Sequence, residues 1–297
     1  MKRMLFIFNP FAGRRKVRGK LPELLDIFSG AGWDTQAYPT KAPLDGRNHV
    51  LRYGKEYDLI VCAGGDGTMN EISGAVSHAG LDIPMGYLPA GSTNDFGRSV
   101  GLPVNLVECA KRVTKGCKRH LDTGEINGKH FIYVVAFGPL TAISYATPQK
   151  LKNLLGRGAY VLWGIREIFS LRSTGLRASW RENGKELSIT GEFLFGMVSN
   201  SLSVGGFYGI TGKDVKLDDG LFEVTLIRKP RGLGDFKDIV SFVRGKKIQS
   251  GQILTFKSGE IRFQFETPVS FTVDGERGGN FKEAHIRNKT RALRFLT

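Results

Sequence analysis

The sequence predicts an α/β domain with a mainly parallel sheet, followed by a mostly antiparallel β-sandwich. Three observations carry that expectation. Over residues 1–122, short apolar runs alternate with helical patterns, as in a parallel sheet covered by helices. Over residues 123–283, strand-like runs follow one another with only two helical interruptions, as in a sandwich or barrel. Three early apolar runs end in turns rich in Gly, Asn, Ser, Thr and Asp, and open α/β sheets bind ligands at that edge.

The elements follow in order. Residues 4–8 read as a buried strand, 21–29 as a helix and 33–38 as a short second strand. A helix near 47–55 leads to a strand over 58–62, and Met69, Ile72 and Val76 recur at helical spacing over 68–76. Residues 83–87 are the next apolar run, and 104–114 a further helix. Beyond residue 122, strands are expected over 131–137, 176–181, 187–190, 193–199, 221–228, 253–256, 260–265 and 269–273, with a turn at Glu182-Asn183-Gly184-Lys185. The helical interruptions are 149–171 and 233–244, and 284–295 is again strand-like. Residues 149–171 set Lys150, Lys152, Arg157 and Arg166 beside large apolar residues, which fits packing on the sandwich and also contact with a membrane interface.

The most informative turn is Gly64-Gly65-Asp66-Gly67-Thr68, between the strand at 58–62 and the helix at 68–76. A helix N-terminus offers unpaired N–H groups and a partial positive charge that suit phosphate oxygens, and glycines let the backbone approach an anion closely. Asp66 adds a carboxylate able to hold Mg²⁺ or accept a proton. The companion turns are Asn9-Pro10-Phe11-Ala12-Gly13 and residues 88–97. One such turn could be packing punctuation, but three predict a single polar phosphate pocket. No G-x-x-x-x-G-K-[ST] is present and no G-x-G-x-x-G opens the first helix, so the usual phosphate loops are excluded.

Four motifs, in this order, resemble the diacylglycerol kinase catalytic family, bacterial lipid kinases related to sphingosine kinases. They are N-P-x-x-G (Asn9 to Gly13), G-G-D-G-T-x-N-E (Gly64 to Glu71), P-x-G-S-T-N-D-F (Pro89 to Phe96) and D-G-E (Asp274 to Glu276). The series spans nearly the whole chain, whereas the G-G-D-G-T core alone also resembles turns of NAD kinases and phosphofructokinases. The resemblance implies an NAD kinase-like first domain to which residues 284–297 return. It also implies transfer of the γ-phosphoryl group of ATP, with Mg²⁺, to a lipid hydroxyl, foremost that of diacylglycerol to give phosphatidic acid.

Carried over residue by residue, the resemblance and the turn chemistry place Asn9, Gly13, Thr40, Gly65, Asp66, Gly67, Thr68, Asn70, Glu71 and Thr93 around the nucleotide phosphates. Thr40 enters through the resemblance alone; otherwise it reads as a helix cap. D-G-E by itself is as readily an exposed turn. The family's catalytic glutamate occupies this motif, which makes Glu276 the group that takes the hydroxyl proton, and burial in a cleft would raise its pKa. Asp66, Asp95 and Asp122 are the other acids expected to face the site, with Asp66 and Asp122 near the phosphates and Mg²⁺. Asp122, two residues before Gly124, also reads as a turn residue. In bacterial members a D-D-G loop carries a structural Mg²⁺. At Lys216-Leu217-Asp218-Asp219-Gly220-Leu221, the resemblance makes Asp219 the side-chain ligand and supplies the carbonyls of Lys216 and Leu221. Read alone, that loop is a solvated turn.

Charge constrains the partners. The 43 Lys and Arg exceed the 28 Asp and Glu, for a formal charge of +15. Such an excess suits nucleic acid, anionic headgroups or an anionic substrate. No helix-turn-helix, zinc-finger or RNP pattern accompanies it, so no nucleic-acid partner is expected. At an anionic bilayer each basic residue near the surface contributes about 1 kcal/mol. Arg14, Arg15, Lys16 and Arg18, just past the Asn9–Gly13 turn, are with Asp95 the first candidates for lipid or phosphate contact; the basic four also fit a solvated helix face. No apolar stretch reaches bilayer-spanning length, and Asn9-Pro10 interrupts the N-terminal apolar run short of a signal sequence. A cytoplasmic protein peripherally associated with the membrane is expected, and a homodimer stays open. Cys62, Cys109 and Cys117 form no C-x-x-C pair, and the five histidines show no metal spacing. Kinases of other lipids (sphingosine-like, monoacylglycerol or polyprenol), an NAD kinase-like enzyme and a basic binding protein without activity are the alternative readings.

Overall fold

The computed structural model describes residues 2–138, 172–182, 184–205, 207–208, 211, 214–243, 248 and 250–297. The expected helix over 149–171 lies outside the described residues. Strands β1 (Lys2–Phe8), β2 (Trp33–Pro39), β3 (Leu59–Gly64) and β4 (Met85–Pro89) lie side by side. β1 pairs in parallel with β2 and with β3, and β3 in parallel with β4. β3 and β4 are buried along their whole length, which is why their sequences run apolar without alternation.

Five helices accompany these strands: α1 (Ala12–Gly30), α2 (Asp45–Tyr53), α3 (Asp66–His78), α4 (Asp95–Ser99) and α5 (Leu106–Lys115). α1 starts well before the expected residue 21. Its inward stripe of Val17, Leu24 and Phe28 is fully buried, but the basic residues between 14 and 20 mask that periodicity in the sequence. α4 had no apolar period to announce it. α5 is bounded by chemistry that the sequence does carry: Asn105 accepts hydrogen bonds from the N–H groups of Val107 and Glu108, and Gly116 closes the helix at φ +72°.

Next come β5 (Lys118–Ile126), β6 (Lys129–Phe131), β7 (Val134–Phe137), β8 (Thr174–Glu182) and β9 (Lys185–Ser199), then the short pair β10 (Ser203–Val204) and β11 (Phe207–Tyr208). β12 (Phe222–Arg228), helix α6 (Leu233–Val243), β13 (Ile253–Ser258), β14 (Glu260–Val273) and β15 (Glu276–Leu296) complete the elements among the described residues. Residues 187–190 and 193–199 belong to one strand, β9, and 260–265 and 269–273 to one strand, β14, with its register shift to β15 between Gln264 and Val269. The strands β5 to β9 and β12 to β14 pair antiparallel with their neighbours in this sheet. They surround a second core in which Phe137 contacts the rings of Phe263, Phe265 and Phe271.

β15 joins the two halves. It pairs antiparallel with β14 and β5, and its last residues, Phe295 and Leu296, run parallel to Met85 and Gly86 of β4. Among the described residues all strands but β10 and β11 form one 13-stranded hydrogen-bonded network.

β6 packs on α3 through His130, whose Nε2 is 3.0 Å from Ser73 Oγ. Gly74 leaves room for the ring: a Cβ there would lie 3.2 Å from His130 Cδ2. Burial lowers the His130 pKa to about 4, against a weak opposing pull from Glu125. The unfolded chain therefore binds the extra proton between pH 6.5 and about 4, and stability falls as pH drops through that window. The contribution is up to roughly 3 kcal/mol. His130→Gln is expected to flatten the melting temperature over that range; an unchanged slope would place the acid sensitivity elsewhere.

Candidate active site

The three turns that the sequence singles out meet at the carboxyl ends of β1, β3 and β4. Ala90 N–H donates to Gly64 O at 2.7 Å, and Asn9 N–H donates to Ala63 O at 2.9 Å. Two glycines allow the approach. Gly13, at φ +54°, faces the Ala90 carbonyl so closely that a Cβ would collide with its oxygen at 2.1 Å, and a Cβ on Gly91 would sit 2.6 Å from Gly65 Cα. The first and third turns are stiffened from within. Asn9 Oδ1 accepts Phe11 N–H, and Asn94, itself at φ +54°, accepts Gly91 N–H and donates to Gly91 O.

Asp66 opens α3, with Gly65 as the N-cap residue in extended conformation. Its carboxylate accepts the N–H groups of Asp95 (2.9 Å) and Phe96 (3.2 Å), the first two residues of α4. Burial raises the Asp66 pKa, while these N–H donors pull it down and the neighbouring Asp95 raises it. Asp66 therefore joins the second and third turns. Thr68, Asn70 and Gly67 share the first turns of α3 and are half-buried, and Thr93 is exposed.

Glu276 enters from the other half of the chain. It is the first residue of β15, and a Cβ on Gly67 would lie 3.3 Å from its Oε1. The carboxylate thus abuts the G-G-D-G-T turn. It is exposed, so the burial expected around it is not present.

Other expected residues are brought in differently. Glu71 turns away from the turn and accepts the N–H groups of Leu44 (3.1 Å) and Arg47 (3.0 Å) at the start of α2. Asp95 offers no open contact surface: it is buried, its carboxylate accepting Ser203 Oγ–H (2.6 Å) and Gly205 N–H (2.7 Å). Asp122 lies within β5 rather than at a turn, and it is buried. Its carboxylate accepts the N–H groups of Gly220 (2.6 Å) and Arg291 (2.7 Å) and the Asn288 amide (3.3 Å), so it clasps the D-D-G loop to β15. A short stretch such as His120-Leu121-Asp122, with one apolar residue, does not distinguish these outcomes. Asp274 stands in the D-G-E motif without a role expected of it; burial raises its pKa to about 7, outweighing the downward pull of the three backbone N–H groups that its carboxylate accepts.

Thr40 lies at the end of β2, its N–H donating to Phe8 O at 2.9 Å. It borders a groove of about 560 Å³ whose apolar wall includes Phe8, Pro10, Phe11 and Leu21 and whose rim carries Arg18 and Lys41. Arg15, Lys16 and Arg18 are exposed on α1; the side chain of Arg14 lies outside the described residues.

Among the described residues no three His, Cys, Asp or Glu side chains gather as a metal-binding group. At the D-D-G loop, Asp219 Oδ1 accepts Leu221 N–H at 3.1 Å, and Oδ2 lies 3.9 Å from Lys257 Nζ. Lys257 also lies 3.1 Å from Glu223 Oε1, whose buried carboxylate has this ion pair and no hydrogen bond. Burial pushes Glu223 up to about 7, with Lys257 pulling it down. Asp219 and the buried Glu223, four residues further on, are both held by Lys257 here; carboxylate and main-chain carbonyl oxygens are the hard donors that Mg²⁺ takes.

The family profile of the diacylglycerol kinase catalytic domain matches residues 3–126, and that of the YegS C-terminal NAD kinase β-sandwich-like domain matches residues 134–296. The chain is 33% identical over 282 residues to a diacylglycerol kinase of Bacillus subtilis (strain 168), covering 94% of this chain and 91% of that one. It is 32% identical over 299 residues to a diacylglycerol kinase of Staphylococcus epidermidis, covering 100% and 92%. The fold is similar to a crystal structure of a putative diacylglycerol kinase from Bacillus anthracis str. Sterne, with a TM-score of 0.81 at 24% identity over 99% of this chain and 96% of that one. With this breadth of match, the chain belongs to the diacylglycerol kinase catalytic-domain family and is a lipid kinase.

Proposed function

We propose that this kinase transfers the γ-phosphoryl group of ATP to the hydroxyl of diacylglycerol, giving phosphatidic acid. The observation that carries the reading is the placement of Glu276 against Gly67, a carboxylate facing a turn that presents helix N–H groups. Phosphoryl transfer asks the protein mainly for positioning, for charge stabilisation and for a base on the attacking hydroxyl. Gly65, Asp66, Gly67, Thr68 and Asn70 of the second turn, with Asn9, Gly13 and Thr93, hold the phosphates, and Glu276 takes the proton. Glu71 and Asp122 act at one remove, by anchoring α2 and the D-D-G loop. The apolar groove beside Thr40 takes the nucleoside, with Arg18 and Lys41 at its rim.

Mg²⁺, when bound, neutralises phosphate charge near Asp66, and a second ion would be held by Asp219 with the carbonyls of Lys216 and Leu221. The relatives named diacylglycerol kinase support the substrate. Incubation with labelled ATP, Mg²⁺ and a mixed-micelle panel of diacylglycerol, monoacylglycerol, sphingosine and undecaprenol, with NAD as soluble control, tests it. Preferential labelling of any acceptor other than diacylglycerol would overturn the substrate assignment.

The enzyme reaches its lipid from an anionic bilayer surface. The +15 charge and the exposed Arg15, Lys16 and Arg18 beside the pocket support this docking. Among the described residues no helix is long and apolar enough to cross a membrane. Vesicle binding is expected to strengthen with anionic lipid and to weaken as salt shortens the Debye length from about 30 Å toward 8 Å. Reversing Arg15 and Arg18 to Glu should abolish vesicle binding, and reversing Arg15 alone, which does not line the groove, should weaken it and leave ATP affinity intact; unchanged vesicle binding in both variants would exclude this face.

A further inference from the structure

We propose that Asp274 and Lys129 are positioning residues that hold Glu276 against the phosphate turn. This rests on the reading of Glu276 as the base. Asp274 and Gly275 form the two-residue turn between β14 and β15, at φ +47° and +79°, with Val273 paired to Glu276. Asp-Gly suits such a turn, and in most hairpins its aspartate is solvated. Here Asp274 is only 3% exposed.

The Asp274 carboxylate accepts three consecutive backbone N–H groups: Ile132 at 2.7 Å, Tyr133 at 3.0 Å and Val134 at 2.9 Å. Its own N–H donates to Val134 O at 2.8 Å. A hairpin needs none of this to close. Burying a carboxylate is unfavourable unless such donors compensate, and successive N–H groups of this kind form an anion nest. The arrangement fixes the turn relative to residues 132–134.

On the other side of Glu276, Lys129 Nζ donates to Arg277 O at 3.2 Å and lies 3.5 Å from Gly278 O. The same segment reaches α3 one residue later, through the His130–Ser73 contact. Residues 129–134 therefore touch both the helix that opens with Asp66 and the hairpin that presents Glu276. They set the spacing between Gly67 and the carboxylate. A base displaced by an ångström loses up to about a hundredfold in rate, so the spacing has a catalytic consequence.

The test compares Asp274→Asn, Lys129→Met and Lys129→Arg in the full chain, assayed well below each variant's melting temperature. Asn keeps the shape of the side chain but replaces one accepting oxygen with a donor. Asp274→Asn is expected to lower kcat about twentyfold or more, and Lys129→Met about threefold to tenfold, with the Kd for Mg-ATP within about twofold of wild type. Lys129→Arg should recover most of the kcat. In a Glu276→Gln background the Asp274→Asn and Lys129→Met losses should vanish, because no base remains to be positioned.

Wild-type kcat in both Asp274→Asn and Lys129→Met, or losses that persist undiminished beside Glu276→Gln, would overturn the proposal while leaving the base reading intact. Normal turnover in Glu276→Gln alone would overturn both. Should Asp274→Asn not fold, Lys129→Met and Lys129→Arg decide the matter, because the Lys129 side chain lies at the surface of the hairpin.

Discussion

Glu276→Gln is expected to lower kcat by about a hundredfold or more while Mg-ATP affinity stays nearly unchanged. Gln has the shape of Glu and cannot take a proton. Because the side chain is exposed at the head of β15, the substitution should leave the fold intact, with stability within about 0.5 kcal/mol of wild type. Steady-state turnover with labelled ATP and isothermal titration of Mg-ATP separate the two quantities. Loss of nucleotide affinity in step with turnover would recast Glu276 as a phosphate-side ligand, and near-normal turnover would remove it from the mechanism.

Asp66→Ala should fail in a different way. It removes the acceptor for the N–H groups of Asp95 and Phe96, and a buried N–H left without a partner costs about 1–3 kcal/mol. The third turn would loosen from the second. Turnover should drop by about a hundredfold, Mg-ATP affinity by about tenfold or more, and the melting temperature should fall as well. Asp66→Asn keeps one accepting oxygen, so it should recover more of the stability than of the nucleotide affinity. Wild-type Mg-ATP affinity in Asp66→Ala would count against a role at the phosphates.

The two variants draw on different halves of the chain, and they were legible to different degrees. The turn at Gly64–Thr68 could be read because a strand, a glycine turn and a helix lie within twenty consecutive residues, so local conformational preference expresses the whole unit. The same holds for Asn105 and Gly116 at the ends of α5. Glu276 was singled out through its motif, and its exposure ran against the expected burial. Glu71 and Asp95 look like site residues because they stand in site motifs. Their carboxylates nevertheless point at α2 and at residues 203–205, where backbone N–H groups and the Ser203 hydroxyl need acceptors.

By itself the sequence determined the apolar strands, most of the helices, the three anion-suited turns, the positive charge and the kinase motifs. All of these are properties of short stretches. Tertiary structure alone decided that Gly13, Gly91 and Gly67 would face Ala90, Gly65 and Glu276, and that β15 would run from the Asp274–Gly275 turn to pair with β4. It also decided that Asp122 and Asp274 would be buried acceptors, one for Gly220 and Arg291, the other for Ile132 to Val134. Those partners lie some hundred or more residues away along the chain. Which N–H group a buried carboxylate meets depends on strand register and on how both cores close around it, and no local pattern encodes either.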